Sequence, residues 1–250
     1  MKSTLNQWMQ AYEISHFEVA SFNGLIFYFK GTDLNTKSTN VSRFYETIQS
    51  HCALWVTELV PSYASCLVEY DAFASDHHQV LAKLTEMPNT IPDHSLNDRL
   101  VNQPSVHRIP VWYCVTQAQN DLGLVATEKN LSVDEIIKLH TKKEYKVYAV
   151  GFQPGFAYLG ELAAELSMPR LAKPRVKVPR GAVAIADKQT AVYPNSSPGG
   201  WHILGLCPLD LRQKATAINA FKVGDSVRFE AIDAAQYEAI LSSQNESKIG

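Results

Sequence analysis

Several absences narrow what this chain does. It has no excess of cations: in 250 residues, 23 Lys and Arg stand against 25 Asp and Glu, a formal net charge of −2. A nucleic-acid binder needs a basic surplus to neutralise phosphates, so the charge argues against nucleic acid as the main partner. No run reaches the roughly 18 apolar residues of a membrane span. The opening MKSTLNQWMQAYEISHFE lacks the apolar core of an export signal. Together these predict a cytoplasmic protein with no membrane partner. The four cysteines, Cys52, Cys66, Cys114 and Cys207, contain no C-x-x-C pair, so they read as reduced thiols and offer no metal site. Also missing are the G-x-x-x-x-G-K-[ST] phosphate loop, the G-x-S-x-G elbow and H-E-x-x-H. The glycine-rich elements Gly151–Gly155 and Pro198-Gly199-Gly200 match no dinucleotide fingerprint.

What is present is an ordinary folded composition, 46% apolar and 19% charged. From its start the chain reads as mixed α and β. Phe17–Ser21 and Leu25–Lys30 are apolar or aromatic runs broken by Asn23-Gly24, a hairpin signal. Asn40 predicts an N-cap, with Val41, Phe44, Tyr45, Ile48 and Cys52 on one helical face. Ala53–Val60 and Ser65–Tyr70 predict two strands around Pro61-Ser62-Tyr63. Asp76–Met87 predicts a helix that turns Val80, Leu81, Leu84 and Met87 inward. His77 and His78 at its start have no third ligand nearby and read as surface residues. Strand-strand-helix, twice over, predicts a small α+β sheet with helices on one face. Pro88–Pro110, with four prolines and few apolar residues, reads as a domain boundary.

Beyond that boundary, Val111–Thr116 predicts a strand and Asp121–Thr127 a short helix. Ser132 and Glu135 have the spacing of a capping box, and Leu131 with Ile136 fits the hydrophobic staple around it. The helix that follows carries Ile136, Leu139 and His140 on one face. Position alone leaves His140 open to two readings: a buried, satisfied histidine, or an imidazolium favoured by the helix C-terminus. Lys146–Val150, Val183–Ala186, Thr190–Tyr193, His202–Leu206 and Ser226–Ala231 are short strands between turn residues, which predicts a sandwich or barrel. Asp233–Ser242 predicts a terminal helix.

The most distinctive stretch is Tyr148–Gly205, which holds seven of the chain's 12 glycines. Glycine and proline concentrated among aromatics and polar residues shape a surface more than they pack a core. Within it, Arg170, Lys173, Arg175, Lys177 and Arg180 place five cations in eleven residues with no acid among them. That is either an anion site or a solvated basic strand. As a site it offers cations and amides to a carboxylate or phosphate, with Tyr193 and Trp201 as walls.

Three blocks in this stretch resemble a known family. GFQPGFAYL (Gly151–Leu159), PRLAKPRVKVPRGAVAIADKQTAVYP (Pro169–Pro194) and SPGGWHILG (Ser197–Gly205) are similar to the family of B-type subunits of bacterial 5-oxoprolinase. That family is also called allophanate hydrolase subunit 1 and includes Kip-type inhibitors of sporulation kinases. The resemblance covers most of the chain, extending through Asp121, Leu122 and His140, and more weakly through LVPSYASCLVEYD (Leu59–Asp71). It implies an α+β chain: an N-terminal ferredoxin-like domain over residues 1–88, a linker over 89–106, a C-terminal cyclophilin-like β-barrel over 107–242, and a tail over 243–250. It also implies work beside a homologous C-type subunit and an A-type subunit of another fold, the three together cleaving 5-oxoproline to glutamate with ATP. The ATP would be bound by the complex, mainly on a partner or at a shared interface. A related module forms the carboxyltransferase part of urea carboxylase.

The matching motif positions are His140, Phe152, Pro154, Gly155, Tyr158, Arg175, Pro179, Gln189, Tyr193, Pro198, Gly199, Gly200 and Trp201. On these positions we expect catalytic roles for His140, Arg175 and Gln189: Arg175, with Arg170, on a carboxylate or a phosphorylated lactam, Gln189 on the amide, His140 as acid or base. The competing readings are that Arg175 braces the barrel through an ion pair and Gln189 caps a turn. Phe152, Pro154, Gly155, Tyr158, Arg170, Tyr193, Gly199, Gly200 and Trp201 would form the substrate surface. This chain departs from the family pattern at YCVTQAQNDL (Tyr113–Leu122), where a glycine-rich segment is usual, and at GLCP (Gly205–Pro208), where G-[RK]-T-P is usual. Those departures keep a second expectation open, a regulator that binds and inhibits a sensor histidine kinase.

Overall fold

The computed structural model describes residues 2–51, 54–87, 105–114, 120–211 and 221–246. They fall into two compact units, Met1–Gln103 and Pro104–Gly250. The linker expected over 89–106 lies, up to residue 104, outside the described residues, as do Cys52 and residues 115–116.

The first unit runs α1 (Lys2–Ala11), β1 (Ile14–Ser21), β2 (Gly24–Phe29), α2 (Leu34–Ser50), β3 (Val56–Pro61), β4 (Ser65–Tyr70) and α3 (His77–Glu86). Its four strands pair antiparallel in the order β1-β2-β4-β3. The hairpin stands where Asn23 signals it, with Phe22-Asn23 as the turn, because Ser21 pairs with Gly24. A β-carbon on Gly24 would meet Ser21 Oγ at 2.7 Å, so a larger residue there would require the serine side chain to turn away. Two hairpins each lead into a helix, so the succession is β-β-α-β-β-α. Read from β2 it gives β-α-β-β-α, and the strand that would complete the expected ferredoxin-like succession stands first, as β1.

Two local readings change. Helix α2 starts well before Asn40: Asp33 is its N-cap, its Oδ1 accepting the Thr36 N–H at 2.8 Å, while Asn40 lies inside the helix and donates to Lys30 O at 3.0 Å. Helix α1 has no counterpart among the expected elements, yet it delivers Trp8 and Tyr12 to a core built on Phe27 and Phe44. Helix α3 holds its expected place, capped by Asp76 with Gln79 reaching back. His78 is exposed, but His77 is partly buried, with Nδ1 against Tyr70 Oη.

The second unit contains β5 (Val106–Trp112), α4 (Leu122–Lys129), α5 (Val133–Lys142), β6 (Glu144–Val150), β7 (Ala157–Gly160), β8 (Arg175–Val178), β9 (Ala182–Ala186), β10 (Gln189–Val192), β11 (Ser197–Gly199), β12 (His202–Leu206), β13 (Ser226–Ile232) and α6 (Ala234–Glu246). Seven strands close into a barrel in the order β10-β7-β6-β13-β5-β12-β9. Closure leaves no free edge among them. The ring is completed by a parallel pairing of β5 with β13 from Val106↔Ser226 to Trp112↔Ile232. Asp225 fastens that seam: it accepts the Ser105 and Lys222 N–H groups at 2.9 Å each and faces His107 Nε2 at 2.9 Å. Strands β8 and β11 pair with each other outside the barrel. Helix α5 begins at the expected capping box, with Ser132 and Glu135 bonded reciprocally. Helix α6 continues to Glu246, past the expected start of the tail at 243. Burial pushes the Cys66 and Cys207 thiols up to about 12, so both stay protonated near neutral pH.

Candidate functional site

Two glycine- and proline-rich turns meet on the outside of the barrel. In the first, Gly155 has φ +85°, and a β-carbon on it would strike Leu211 O at 2.6 Å, so only glycine fits. Phe152 also holds a positive φ, 71°, with its ring 62% exposed and set edge-on to Phe156 at 5.3 Å. A left-handed, exposed phenylalanine is conformationally costly and marks the turn as specifically shaped. Pro154 lies between them. Gln153 Nε2 donates to Ser197 Oγ at 3.3 Å and joins this turn to the second one.

In the second turn Gly199 lies against Tyr193, where a β-carbon would come within 2.6 Å of the phenol oxygen. Gly200 carries the chain past Leu171, whose N–H donates to Gly200 O at 2.7 Å. Between the turns stands an aromatic wall. Phe156 contacts Tyr158 at 4.8 Å, Tyr193 at 5.4 Å and Trp201 at 6.1 Å. Burial raises the Tyr193 phenol above its ordinary range, and Arg170 and Arg175 pull it partly back. Tyr193 therefore serves as a neutral donor or a packing surface.

The cations divide into kinds. Arg170 stands over the Trp201 ring, 5.9 Å from its centroid, with its side chain 60% exposed. Its Nε lies 3.8 Å from Asp187 Oδ2, an exposed pair that holds the guanidinium loosely. Arg175 is committed: it donates to a carboxylate oxygen of Asp121 and, at 3.3 Å, to Trp201 O. Arg180 pairs with the buried Asp210 at 3.7 Å, while Lys173 and Lys177 are exposed. Beside Arg170 an open groove of about 290 Å³ is lined by Lys129, Met168, Pro169 and His202. His202 Nε2 lies 3.0 Å from Pro169 O, and because a carbonyl only accepts, that nitrogen carries the proton.

His140 lies apart from this wall. It is a fully buried residue of α5, stacked on Phe229 at 4.5 Å, with both ring nitrogens engaged. Thr190 Oγ1 donates to Ala184 O at 3.1 Å, so it accepts from His140 Nε2 at 2.9 Å, and Tyr113 Oη then donates to Nδ1 at 2.7 Å. Burial pushes the imidazole down to about 3, and raises the Tyr113 phenol well above its ordinary value. Burial disfavours the charged form, so the ring is held neutral with both nitrogens bonded inside the barrel. Of the two readings left open by position, the buried one holds. Gln189 opens β10 opposite Ala186 and Gly160, two residues from the Asp187 that faces Arg170. The structure thus gathers Arg170, Arg175, Tyr158, Tyr193, Gly199, Gly200 and Trp201 around one wall and sets His140 apart.

Asp121, read from the sequence only as part of the family resemblance and of a short helix, is the partner that holds Arg175. One carboxylate oxygen takes Arg175 and the other accepts the Ile203 N–H at 2.7 Å. Its distance of 54 residues from Arg175 puts this pairing beyond any local spacing signal. Among the described residues, no group of three or more His, Cys, Asp or Glu is placed to hold a metal ion, and no helix is long and apolar enough to cross a membrane.

Comparison with known proteins follows the same lines. Residues 16–220 match the family model described as carboxyltransferase domain, subdomain C and D. The B-type subunit of 5-oxoprolinase from Bacillus subtilis (strain 168) is 36% identical, over 75% of this chain and 80% of that protein. Its counterpart from Escherichia coli O157:H7 is 46% identical over 44% of this chain, which spans half of that protein. A solved structure of TTHA0988 superposes with a TM-score of 0.71 at 30% identity, covering 86% of this chain and 40% of that one. The K. lactis urea amidolyase shares the fold, with a TM-score of 0.67 at 13% identity over 92% of this chain and 16% of its own. With a family match over most of its length and a relative of that identity and coverage, the chain belongs to the carboxyltransferase-domain family, subdomains C and D, that includes the B-type subunits of 5-oxoprolinase.

Proposed function

We propose that this chain is a subunit of an ATP-dependent amidohydrolase complex, a 5-oxoprolinase that opens the lactam of 5-oxoproline to glutamate. The observation that carries this reading is the Arg170 guanidinium standing over Trp201, loosely held and open to solvent. A planar, carboxylate-bearing lactam suits a surface that joins a cation to aromatic faces. Arg170 takes the carboxylate through charge-assisted hydrogen bonds, and Tyr158 and Trp201 flank the ring. Arg175, neutralised by Asp121, fixes the Trp201 backbone and so orients the wall. Substrate positioning of this kind is the chain's own contribution. ATP belongs to a partner or to a shared interface, and the companions are a homologous C-type subunit and an A-type subunit. In the same reading the complex is cytoplasmic, the barrel cyclophilin-like, and the first unit a rearranged ferredoxin-like domain.

The test is ATP-dependent release of glutamate from 5-oxoproline by this chain mixed with both companion subunits, each omitted in turn. Activity that requires all three supports the proposal. Binding without activity redirects it to another lactam or amide. No binding to either companion overturns it in favour of a regulator of a histidine kinase.

A further inference from the structure

The first unit carries an apolar patch that the proposed site does not use. Phe22, Leu54 and Phe73 are 82%, 106% and 104% exposed. They lie on three different loops, yet one strand end holds those loops together. Asn23 O accepts the Tyr70 N–H at 3.0 Å, and Asn23 Nδ2 donates to Tyr70 O at 3.3 Å, which fixes the Phe22 turn to the end of β4. Trp55 O accepts the Asp71 N–H at 2.9 Å, which fixes the Leu54 loop to the next residue. Asp71 Oδ1 accepts the Phe73 N–H at 2.9 Å and shapes the third loop. Three large, exposed apolar side chains are thus carried on backbone tied to one end of β4.

The fringe of the patch is acidic. Glu58 and Glu69 lie directly opposite each other on β3 and β4, an arrangement that repels unless a cation is supplied. Asp71 adds a third carboxylate. Lys83 is engaged elsewhere: its Nζ donates to Ser75 Oγ at 2.5 Å and lies over the Trp55 ring. A second copy docked through the same face would bring two acidic fringes together, so charge disfavours self-association here.

We infer that this end of the first unit is a docking surface for a companion subunit that presents an apolar segment flanked by lysine or arginine. The inference rests on the reading of the chain as part of a complex. Phe22, Leu54 and Phe73 bury against the apolar segment, while Glu58, Glu69 and Asp71 receive its cations.

The experiment is calorimetric titration of the full chain with the purified C-type and A-type subunits, wild type against a Phe22→Ser/Phe73→Ser double variant. Both positions are solvent-exposed, so the double variant keeps the wild-type melting temperature. It should bind one companion at least tenfold more weakly. Glu58→Lys should weaken the same interaction, and added salt should weaken it further. Val176→Ser, at a 90% exposed position of the second unit, serves as the control and binds as wild type. Wild-type affinity in the double variant overturns the inference and leaves the proposed function standing. Wild-type protein that binds neither companion overturns both. A wild-type dimer that the double variant abolishes overturns the choice of partner in favour of a second copy.

Discussion

Arg175 and Asp121 form an ion pair at the edge of the aromatic wall, with Asp121 6% exposed and its other oxygen on the Ile203 N–H. Removing either partner leaves the other compromised, but unequally. Arg175→Ala strands a buried carboxylate, at a cost of about 3 kcal/mol. Asp121→Asn leaves a partly exposed guanidinium that still reaches Trp201 O, at a cost of about 1–2 kcal/mol. Urea unfolding of both single variants and the double variant checks the order. The double variant should lose less than the two single losses combined.

Arg170 should behave in the opposite way. Its ion pair with Asp187 is exposed on both sides, so Arg170→Ala changes stability by less than about 1 kcal/mol. Under the proposed function its contribution is to ligand binding. In the reconstituted complex, Arg170→Ala should lower kcat/KM for 5-oxoproline at least about tenfold, equivalent to about 1.4 kcal/mol. Arg170→Lys should recover little of this, because an ammonium offers no planar fork. Steady-state kinetics beside a thermal melt decides whether the residue acts on substrate or on folding.

Two glycines should respond with opposite signs to alanine. Gly181 has φ +81°, and its β-carbon would run into the Cys207 backbone oxygen, so Gly181→Ala should cost about 2 kcal/mol or more. Gly123 in α4 has nothing within 4 Å of the added carbon. Gly123→Ala should therefore stabilise the protein by up to about 1 kcal/mol through helix propensity alone. Denaturation midpoints of the two variants test the pair.

Local signals are legible where local bonds form. The Asn23 hairpin, the Asp76 and Ser132 helix starts, and β12 over His202–Leu206 all follow from patterns within a few residues. The start of α2 is misread because its first two turns, LNTKSTN, look like a polar loop, and because Asn40 is an equally good cap by residue type. Strands β7, β8 and β11 escape a sequence reading: they are three or four residues long and are defined by pairing to distant segments. The β5–β13 seam joins residues about 120 apart and leaves no local trace. In the site, residue types mark the basic aromatic surface. The ties of Arg175 to Asp121 and of His140 to Tyr113 and Thr190 depend on the barrel having closed.

His140 offers the sharpest separation of structural from catalytic roles. Its folded-state value is pushed down to about 3 by burial, against 6.5 for a free imidazole. The folded protein therefore binds fewer protons than the unfolded chain between those values. Stability is fully present above about pH 6.5 and is lost as pH falls toward 3, by up to about 1.4 kcal/mol per pH unit. His140→Gln keeps a donor for Thr190 and an acceptor for Tyr113 but cannot take up a proton. Between pH 7 and pH 4.5, wild type should lose about 2–3 kcal/mol more than the variant, since carboxylates titrate alike in both. Urea unfolding at several pH values measures this difference. Equal pH slopes would show that the ring is not held neutral in the fold. A variant with a flattened slope that still releases glutamate in the complex would place His140 in the barrel's support and outside its chemistry.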